Sequence, residues 1–369
     1  MVEDILKDKI LGYDININLE DKPNFGSRYK LNLLKAMIEQ KKDCKFVLYS
    51  NQKRKVLSKI KGVLNSQDVK FLNYISPRRL LNDKKLSCFQ SFGDFAVDNK
   101  KVEKFISLIN FSQLMKTSSS SDNQRESHKW IESLRKFNKI ICPSKTAAKT
   151  LVEYLPEKAS DIKVVLPGKE ILTAGPINHD QTKIELGKLG INEDYFLYVG
   201  KTEIGRNIPT MLKAYIKYWG RAKTVPAMVM VSETHGEVNK GLLKDTALLE
   251  SKGKFILTGI VSDEVLKMLY SSARALIYPV STDLYSHQII EAMAMGVPVI
   301  CSADGFGNEI DHDAARFIVP NEIDDIHSAM EAVENNAEYR TKLVEGGRKF
   351  SSHYDWNNMA SEFLSMYSQ

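Results

Sequence analysis

The chain has 369 residues, of which 43% are hydrophobic and 27% are charged, so its composition is that of a globular protein and excludes disordered and fibrous classes. At roughly 100–200 residues per domain, this length predicts two or three domains. The 52 Lys and Arg residues exceed the 46 Asp and Glu residues, which gives a formal net charge of +6 at pH 7.

The positive charge is concentrated in the first half of the chain. Residues 1–180 hold 33 basic and 21 acidic residues, a net +12, whereas residues 181–369 hold 19 and 25, a net −6. Such a division predicts two units with different partners, and a basic half suits nucleic acid, an anionic membrane surface or simply a Lys-rich solvated face. A basic cluster in this half consists of Lys53, Arg54, Lys55, Lys59 and Lys61.

Neither export nor membrane insertion is indicated. No apolar run approaches the ~18 residues of a spanning helix, and the N-terminal segment scatters acidic residues where a signal peptide would be apolar. The four cysteines are far apart and include no C-x-x-C pair. This pattern indicates a reducing cytosol and argues against a disulfide framework or structural zinc.

Short apolar, β-rich runs alternate with helical patterns, which predicts the α/β class with mostly parallel sheets. Ser27–Glu39 has the apolar spacing of a half-buried helix, and the polar segment Lys116–Gln124 is predicted to be a surface loop. The strands predicted in the first half are Ile10–Asn16, Lys45–Tyr49, Val69–Tyr74, Phe105–Asn110, Lys139–Cys142 and Ile162–Leu166.

The alternating pattern breaks between Pro167 and Asn192, and we predict a domain boundary there. The expected domains are residues 1–175 and 176–353. The strands predicted in the second half are Tyr195–Val199, Ala227–Val231, Phe255–Leu257, Ala275–Tyr278, Val297–Cys301 and Phe317–Val319. The helices predicted there are Pro209–Tyr218, Leu242–Ser251, Ser262–Tyr270, Gln288–Met295, Ile323–Asn335 and Tyr339–Phe350.

A first motif follows the strand that ends at Gly200. The loop carries two cations, Lys201 and Arg206, and a helix opens near Pro209. The start of a helix offers free N–H groups and a positive dipole end, which suits a phosphate, and the two cations suit a diphosphate. Two exposed cations on an ordinary loop are the alternative interpretation.

A second motif contains two carboxylates. Asp283 follows a predicted strand, and Glu291 lies about one turn into the helix that ends at Gly296. Carboxylate oxygens accept hydrogen bonds from vicinal hydroxyls, and a Glu in an apolar segment is costly unless it has a partner. These residues therefore indicate a site for a hydroxyl-rich ligand, with a buried ion pair as the alternative.

The two stretches, VGKTEIGRN and DLYSHQIIEAMAMGVPVI, resemble the donor-binding half of the retaining family-4 glycosyltransferases, also called glycosyl transferases group 1. The similarity extends over about residues 185–355. It implies a GT-B fold, an α/β architecture in which two Rossmann-like domains face each other across a cleft. Residues 354–369 then correspond to the terminal helix that crosses back to the first domain.

The N-terminal half resembles the acceptor domain of this family more weakly. The segment that starts at Asn24, NFGSRYKLNLL, is similar to the glycine turn that the family places near the donor phosphates. The resemblance implies that Gly26 allows the backbone to approach the diphosphate.

The resemblance also assigns roles in the second half. Lys201 and Arg206 would hold the diphosphate beside Gly200, and Glu291 would hold the ribose hydroxyls. Asp283 would hold a hydroxyl of the donor sugar, supplemented by the backbone N–H groups around Ser286 and His287. The family further implies retention of configuration, no metal and no cofactor beyond the nucleotide diphosphate sugar that serves as donor.

The sequence departs from the family pattern at several positions. Asp283 replaces the usual Glu, and Lys201 and Arg206 exchange the usual Arg and Lys. Asn110 falls where many members carry His-Asp, and an amide cannot act as an acid or base. A non-catalytic sugar-nucleotide-binding or partner subunit therefore stays open, as do a sugar-nucleotide epimerase and, less favoured, a nucleic-acid-binding protein.

Two other features are given structural interpretations. Asp311-His312-Asp313 has the D-x-D form of metal-dependent sugar transferases but is predicted to be a solvated turn. Cys142 and Cys301 lie in apolar strands and are predicted to be inert core thiols.

The favoured interpretation is a cytoplasmic hexosyltransferase that uses a nucleotide diphosphate sugar. Its acceptor is expected to be a glycan or a lipid-linked molecule. The basic half is expected to contact an anionic acceptor or the inner face of the membrane, and no nucleic-acid partner is expected.

Overall fold

The computed structural model describes residues 9–16, 25–40, 44–50, 69–73, 86–93, 101–115, 121–169, 177–203, 205–220, 225–232, 246–247 and 249–368. The chain divides into two compact units, one formed by Met1–Gly168 with Tyr354–Gln369 and the other by Lys169–His353. The predicted boundary after residue 175 and the basic cluster of residues 53–61 both lie outside the described residues. The assignment of acceptor and donor roles to the two units stays a prediction.

The first unit is built on a seven-stranded sheet of order β3-β2-β1-β4-β5-β6-β7. All the pairings in it are parallel. The strands are β1 (Ile10–Asp14), β2 (Lys45–Ser50), β3 (Val69–Asn73), β4 (Leu86–Ser91), β5 (Glu103–Ser107), β6 (Lys139–Cys142) and β7 (Ile162–Val164).

The helices of this unit include one from the C-terminus of the chain. They are α1 (Phe25–Gln40), α2 (Ser112–Met115), α3 (Ser121–Leu134), α4 (Lys145–Tyr154) and, at the end of the chain, α11 (Trp356–Ser368). Helix α11 packs on α1 and buries Met359, Phe363 and Tyr367 in the same core as the strands. Gly168 lies against the Trp356 ring, where any Cβ would clash.

The second unit is built on a six-stranded parallel sheet of order β10-β9-β8-β11-β12-β13. Its strands are β8 (Tyr195–Val199), β9 (Ala227–Val231), β10 (Phe255–Leu257), β11 (Ala275–Tyr278), β12 (Val299–Ser302) and β13 (Arg316–Ile318). Its helices are α5 (His179–Lys188), α6 (Ile208–Trp219), α7 (Asp263–Ser272), α8 (His287–Ala294), α9 (Ile323–Asn335) and α10 (Ala337–Ser351).

The strand order of the second sheet determines where a ligand fits. Every residue of β8, β9 and β11 is buried, as expected for parallel strands covered on both faces. The order 3-2-1-4-5-6 is that of the Rossmann fold, and it reverses between β8 and β11. Ligands of such sheets bind outside the carboxyl ends of the strands at this reversal.

All the strands predicted from the sequence are present, with shifts of a few residues at some ends, but one strand was missed. Strand β4 reads LSCFQS, and its polar residues interrupt the apolar pattern. Gln90 is nevertheless buried. The cost of burying its amide is compensated because the amide nitrogen donates to the Ser107 hydroxyl at 3.0 Å and to the Ser91 carbonyl oxygen at 2.7 Å. A satisfied polar side chain can therefore occupy a central strand.

The predicted loop Lys116–Gln124 is wrong in its second part, because residues 121–124 form the first turn of α3. This helix begins with small polar residues that favour a helix start. Trp130, Ile131 and Leu134 are buried farther along the helix. The sequence prediction gave weight to the polar start and missed the apolar face that follows it.

The cysteines and the lengths of the helices also bear on the sequence predictions. All four cysteines are buried thiols, and burial raises the pKa of Cys142 and of Cys301 to about 12. Within the described residues, none of the helices combines the length and the apolar character that crossing a bilayer requires.

Candidate functional site

The site lies at the carboxyl ends of β8 and β11, where the strand order of the second sheet reverses. Gly200 directly follows β8 with a φ of 151°, and its N–H donates to the Val231 carbonyl oxygen at 3.1 Å. A Cβ at this position would lie 3.1 Å from the Tyr198 hydroxyl oxygen and 3.6 Å from Nη2 of Arg206. Glycine thus lets the chain turn out of the sheet immediately beside a guanidinium.

Arg206 is held by a set of directed contacts. Its Nη1 lies 3.2 Å from Oδ1 of Asp283 and its Nη2 lies 2.9 Å from Oδ2, so the two side chains form a two-pronged ion pair. Nη2 also donates to the Tyr278 hydroxyl at 2.8 Å, and Nε donates to the Tyr198 hydroxyl at 3.4 Å. Burial of Arg206, only 14% exposed, disfavours its charge, but the facing Tyr278 and Asp283 raise its pKa above the usual value.

The two tyrosines close this cluster from the ends of the two strands. Tyr278 is the last residue of β11, and its hydroxyl donates to Oδ2 of Asp283 at 2.5 Å. Tyr198 stacks against it with ring centroids 6.2 Å apart, and the Tyr198 hydroxyl donates to the Lys201 carbonyl oxygen at 2.5 Å. Burial and the neighbouring Asp283 raise the pKa of Tyr278, so this hydroxyl keeps its proton at neutral pH.

These tyrosines were not selected from the sequence as functional residues. The signal that could have identified them is positional. Tyr198 lies two residues before Gly200, and Tyr278 directly precedes Pro279 at the end of the strand that leads to Asp283. Polar hydroxyls at the ends of two buried neighbouring strands are placed to contact whatever occupies the switch point.

Lys201 lies apart from the guanidinium cluster. Its side chain is 67% exposed, and its Nζ lies 2.9 Å from Oε1 of Glu203. The structure therefore brings Arg206 and Asp283 together but leaves Lys201 in an exposed pair on the same loop. An exposed pair of this kind is weak, so Lys201 can leave Glu203 for a stronger anion.

A glycine-containing turn packs against the backbone of the loop that carries Asp283. The N–H of Phe306 donates to the Asp283 carbonyl oxygen at 2.8 Å. Gly305, with a φ of 63°, has no room for a Cβ, which would lie 2.5 Å from the Ser281 carbonyl oxygen. The packing of these backbones sets the position of the Asp283 loop.

Helix α8 starts next to this loop and places three of the predicted residues. Ser286 is its N-cap, and the Ser286 hydroxyl accepts a hydrogen bond from the N–H of Ile289 at 3.4 Å. His287, half-buried, is the first helical residue. Glu291 is buried, with 2% exposure, one turn into the helix as predicted.

The predicted residues of the first unit lie at helix starts. Gly26 is the second residue of α1, within its first turn, and not in a separate glycine turn. Asn110 is exposed beyond the carboxyl end of β5, and its Oδ1 accepts a hydrogen bond from the Ser112 N–H at 2.8 Å. The Asn110 amide thus stabilises the start of α2, a local structural role.

The structure agrees with the solvated turn predicted for Asp311-His312-Asp313. Residues 311–313 are exposed in a turn. Among the described residues, no group of three or more His, Cys, Asp or Glu side chains is arranged to hold a metal ion.

The fold and the cluster at the switch point define an α/β protein with two Rossmann-like units. Residues 181–350 match the family model of the Glycosyl transferases group 1. This part of the chain, which contains the whole cluster, is similar to that family, and the predicted resemblance is confirmed.

Two curated relatives match about half of the chain each. The O-antigen chain mannosyltransferase B of Escherichia coli is 27% identical over 175 residues, 47% of this chain and 46% of the relative. The O-antigen chain mannosyltransferase RfbU of Salmonella typhimurium is 30% identical over 167 residues, 45% of each protein. The matched segment thus spans about half the length of these curated relatives.

Solved structures match nearly the entire chain. A glycosyltransferase from Rickettsia africae has a TM-score of 0.73 at 13% identity and covers 98% of both chains. HepE from Anabaena, solved in complex with UDP and glucose, has a TM-score of 0.74 at 12% identity, with 97% of this chain and 100% of that chain covered. At such identities the likeness shows the fold alone, and the predicted GT-B fold is confirmed.

Proposed function

We propose that this protein is a retaining glycosyltransferase that moves a hexose from a nucleotide diphosphate sugar to an acceptor. The observation that carries the proposal is the placement of Arg206 at the switch point of the second sheet, with Glu291 buried on the adjoining helix. A guanidinium and an acceptor of hydroxyl hydrogen bonds are what the diphosphate and ribose of such a donor require.

Charge stabilisation of the leaving group is the main contribution of this site. When the bond from the sugar to the diphosphate breaks, negative charge grows on the phosphate oxygens. Arg206, held in place before the reaction, stabilises this charge without reorganisation, and the exposed Lys201 joins it by leaving Glu203. The start of helix α8, at Ser286 and His287, adds the positive end of a helix dipole beside the Asp283 loop.

The donor sugar and the acceptor are proposed by analogy. Two of the curated relatives are named as O-antigen chain mannosyltransferases, which supports a hexose as the transferred group and a growing glycan, free or lipid-linked, as the acceptor. The basic first half, at net +12, favours an anionic acceptor or an anionic membrane surface.

The decisive experiment has two steps. A thermal-shift screen of the purified protein against UDP-, GDP-, ADP- and TDP-sugars identifies the donor, because a ligand that binds only the folded state at a hundredfold excess over its Kd stabilises by about 2.7 kcal/mol. Transfer or hydrolysis of that donor is then measured as the release of the nucleoside diphosphate. A protein that binds and cleaves none of these donors would contradict the proposal.

A second candidate is a non-catalytic subunit that binds a sugar nucleotide. It is favoured by Asn110, whose amide cannot act as an acid or base and is engaged in stabilising the start of α2. The same two-step experiment separates the candidates. A donor that stabilises the protein and is never hydrolysed or transferred, in the presence of a panel of glycan acceptors, supports the subunit.

A further inference from the structure

The hydroxyl of Tyr278 has an unambiguous hydrogen-bond orientation. It lies 2.8 Å from Nη2 of Arg206 and 2.5 Å from Oδ2 of Asp283. A guanidinium can only donate and an ionised carboxylate can only accept. The hydroxyl oxygen must therefore accept from Arg206, and the single hydroxyl hydrogen must point to Asp283.

This arrangement uses most of the donors of Arg206. Of the five N–H groups of a guanidinium, two bind Asp283, one binds Tyr278 and one binds the Tyr198 hydroxyl. Among the described residues, the remaining Nη1 hydrogen has no protein acceptor. Arg206 thus has one directed contact to offer a ligand while its ion pair is closed.

Asp283 is occupied in the same way. Its two oxygens accept from both terminal nitrogens of Arg206 and from Tyr278, which leaves about one of the roughly four lone-pair positions of a carboxylate. The capacity of Asp283 for a sugar hydroxyl is therefore small, and its main contacts fix the plane of the guanidinium.

We propose that Tyr278 is a positioning residue of the donor site, which with Asp283 holds the guanidinium of Arg206 so that its free Nη1 hydrogen meets the diphosphate. This inference rests on the proposed function, since it concerns the same site. It adds a residue that neither of the two sequence motifs contains, and it gives Asp283 the orientation of Arg206 as its principal task.

The test compares Tyr278→Phe with the wild-type protein and with Tyr195→Phe. The first variant keeps the ring that stacks on Tyr198 and removes only the bridging hydroxyl. Tyr195→Phe is the matched control, since it removes a buried hydroxyl of the same unit that donates to the Leu269 carbonyl oxygen at 2.7 Å, at the opposite end of β8.

Two readouts are measured. The first is the side-chain 15N NMR spectrum of the arginines, in which a guanidinium fixed on several partners shows separate Nη signals because rotation about its Nε–Cζ and Cζ–Nη bonds is slow. The second is the steady-state rate of nucleoside diphosphate release from UDP-glucose or GDP-mannose, resolved into kcat and KM.

We expect Tyr278→Phe to merge the Nη signals that Arg206→Lys identifies as those of Arg206, while Tyr195→Phe leaves them separate. We also expect kcat to fall roughly tenfold to a hundredfold with KM changed less than about threefold, because a neutral hydroxyl that bonds two charged groups is lost where charge develops.

The outcomes distinguish the two proposals. Separate Nη signals and unchanged kcat in Tyr278→Phe would overturn the positioning role even if the wild type is a fully active transferase. A wild type that is inert with every donor would overturn the proposed function and with it the link to the diphosphate, and the NMR comparison would still show whether Tyr278 orders Arg206.

Discussion

Arg206 and Asp283, 77 positions apart in the sequence, form a two-pronged ion pair in which both terminal nitrogens of the guanidinium face both carboxylate oxygens, at 3.2 and 2.9 Å. The pair joins the loop after β8 to the loop after β11. It therefore links the two predicted motifs into one cluster. Because both contacts need the planar guanidinium, replacing Arg206 by a cation of another shape would break the pair.

We predict that Arg206→Lys lowers kcat/KM for the donor roughly a hundredfold, although it keeps the charge. An ammonium cannot reproduce the two-pronged contact with Asp283 together with the bond to Tyr278. Nucleoside diphosphate release from the donor measures the effect. Lys213→Ala, on the exposed face of α6, is the control and is expected to leave the rate unchanged. Equal rates for Arg206→Lys and the wild type would remove Arg206 from the diphosphate site.

Lys201 provides a second test of the diphosphate site. We predict that Lys201→Ala lowers kcat/KM by about tenfold or less, since its side chain is 67% exposed and paired with Glu203. The double variant with Arg206→Ala should show no measurable transfer, because both cations act on the same developing charge. Glu203→Gln, which frees Lys201 from its partner, should retain wild-type transfer. Full activity in the double variant would contradict the role of both cations.

Glu291 is expected to act in binding and not in folding. We predict that Glu291→Gln, which keeps the shape of this buried side chain, weakens binding of the nucleotide sugar at least tenfold while Tm changes by only a few degrees. Isothermal titration with the donor and a thermal melt measure the two effects. Glu338→Gln, at the exposed start of α10, is the control that should bind normally. An unchanged Kd in Glu291→Gln would place the ribose elsewhere.

The sequence predicted most of this site because its motifs follow strand ends. Tyr195–Val199 and Ala275–Tyr278 were predicted with the bounds that the structure shows, so the loops holding Arg206 and Asp283 were assigned to the same edge of one sheet. Position along the chain identifies a strand end but not a side-chain contact. The ion pair of Arg206 with Asp283 and the exposure of Lys201 therefore became known only from the structure.

The first unit was harder to predict, for physical reasons that its residues show. Strand β4 contains the buried Gln90, whose polar amide forms hydrogen bonds inside the protein. The periodicity of the sequence does not reveal such bonds. Helix α3 starts with a polar segment typical of loops. In β4 hydrogen bonds to other parts of the sheet outweigh the local pattern, and in α3 the apolar face that follows the polar start determines the helix.

Metal dependence can be tested directly. We predict that EDTA at millimolar concentration leaves donor turnover unchanged, because the positive charge that the diphosphate needs is supplied by Arg206 and Lys201. Turnover with and without EDTA, and then with added Mg²⁺ or Mn²⁺, is the measurement. Loss of activity in EDTA that Mg²⁺ restores would show that a divalent cation shares this task.

The last prediction concerns the helix at the end of the chain. The Tyr367 hydroxyl donates to Oε1 of Gln90 at 2.8 Å, a buried bond between α11 and the central strand β4 of the first unit. We predict that Tyr367→Phe lowers the free energy of unfolding by about 1–3 kcal/mol, because Gln90 then loses this donor in a dry environment.

Urea denaturation measures this change, and Tyr154→Phe, at a side chain 37% exposed to solvent, is the control that should differ from wild type by less than about 0.5 kcal/mol. The donor affinity should be retained in both variants, since both positions lie outside the unit that holds Arg206 and Glu291. A Tyr367→Phe variant as stable as the wild type would mean that Gln90 finds another donor and that the apolar side chains of α11 alone hold this helix in place.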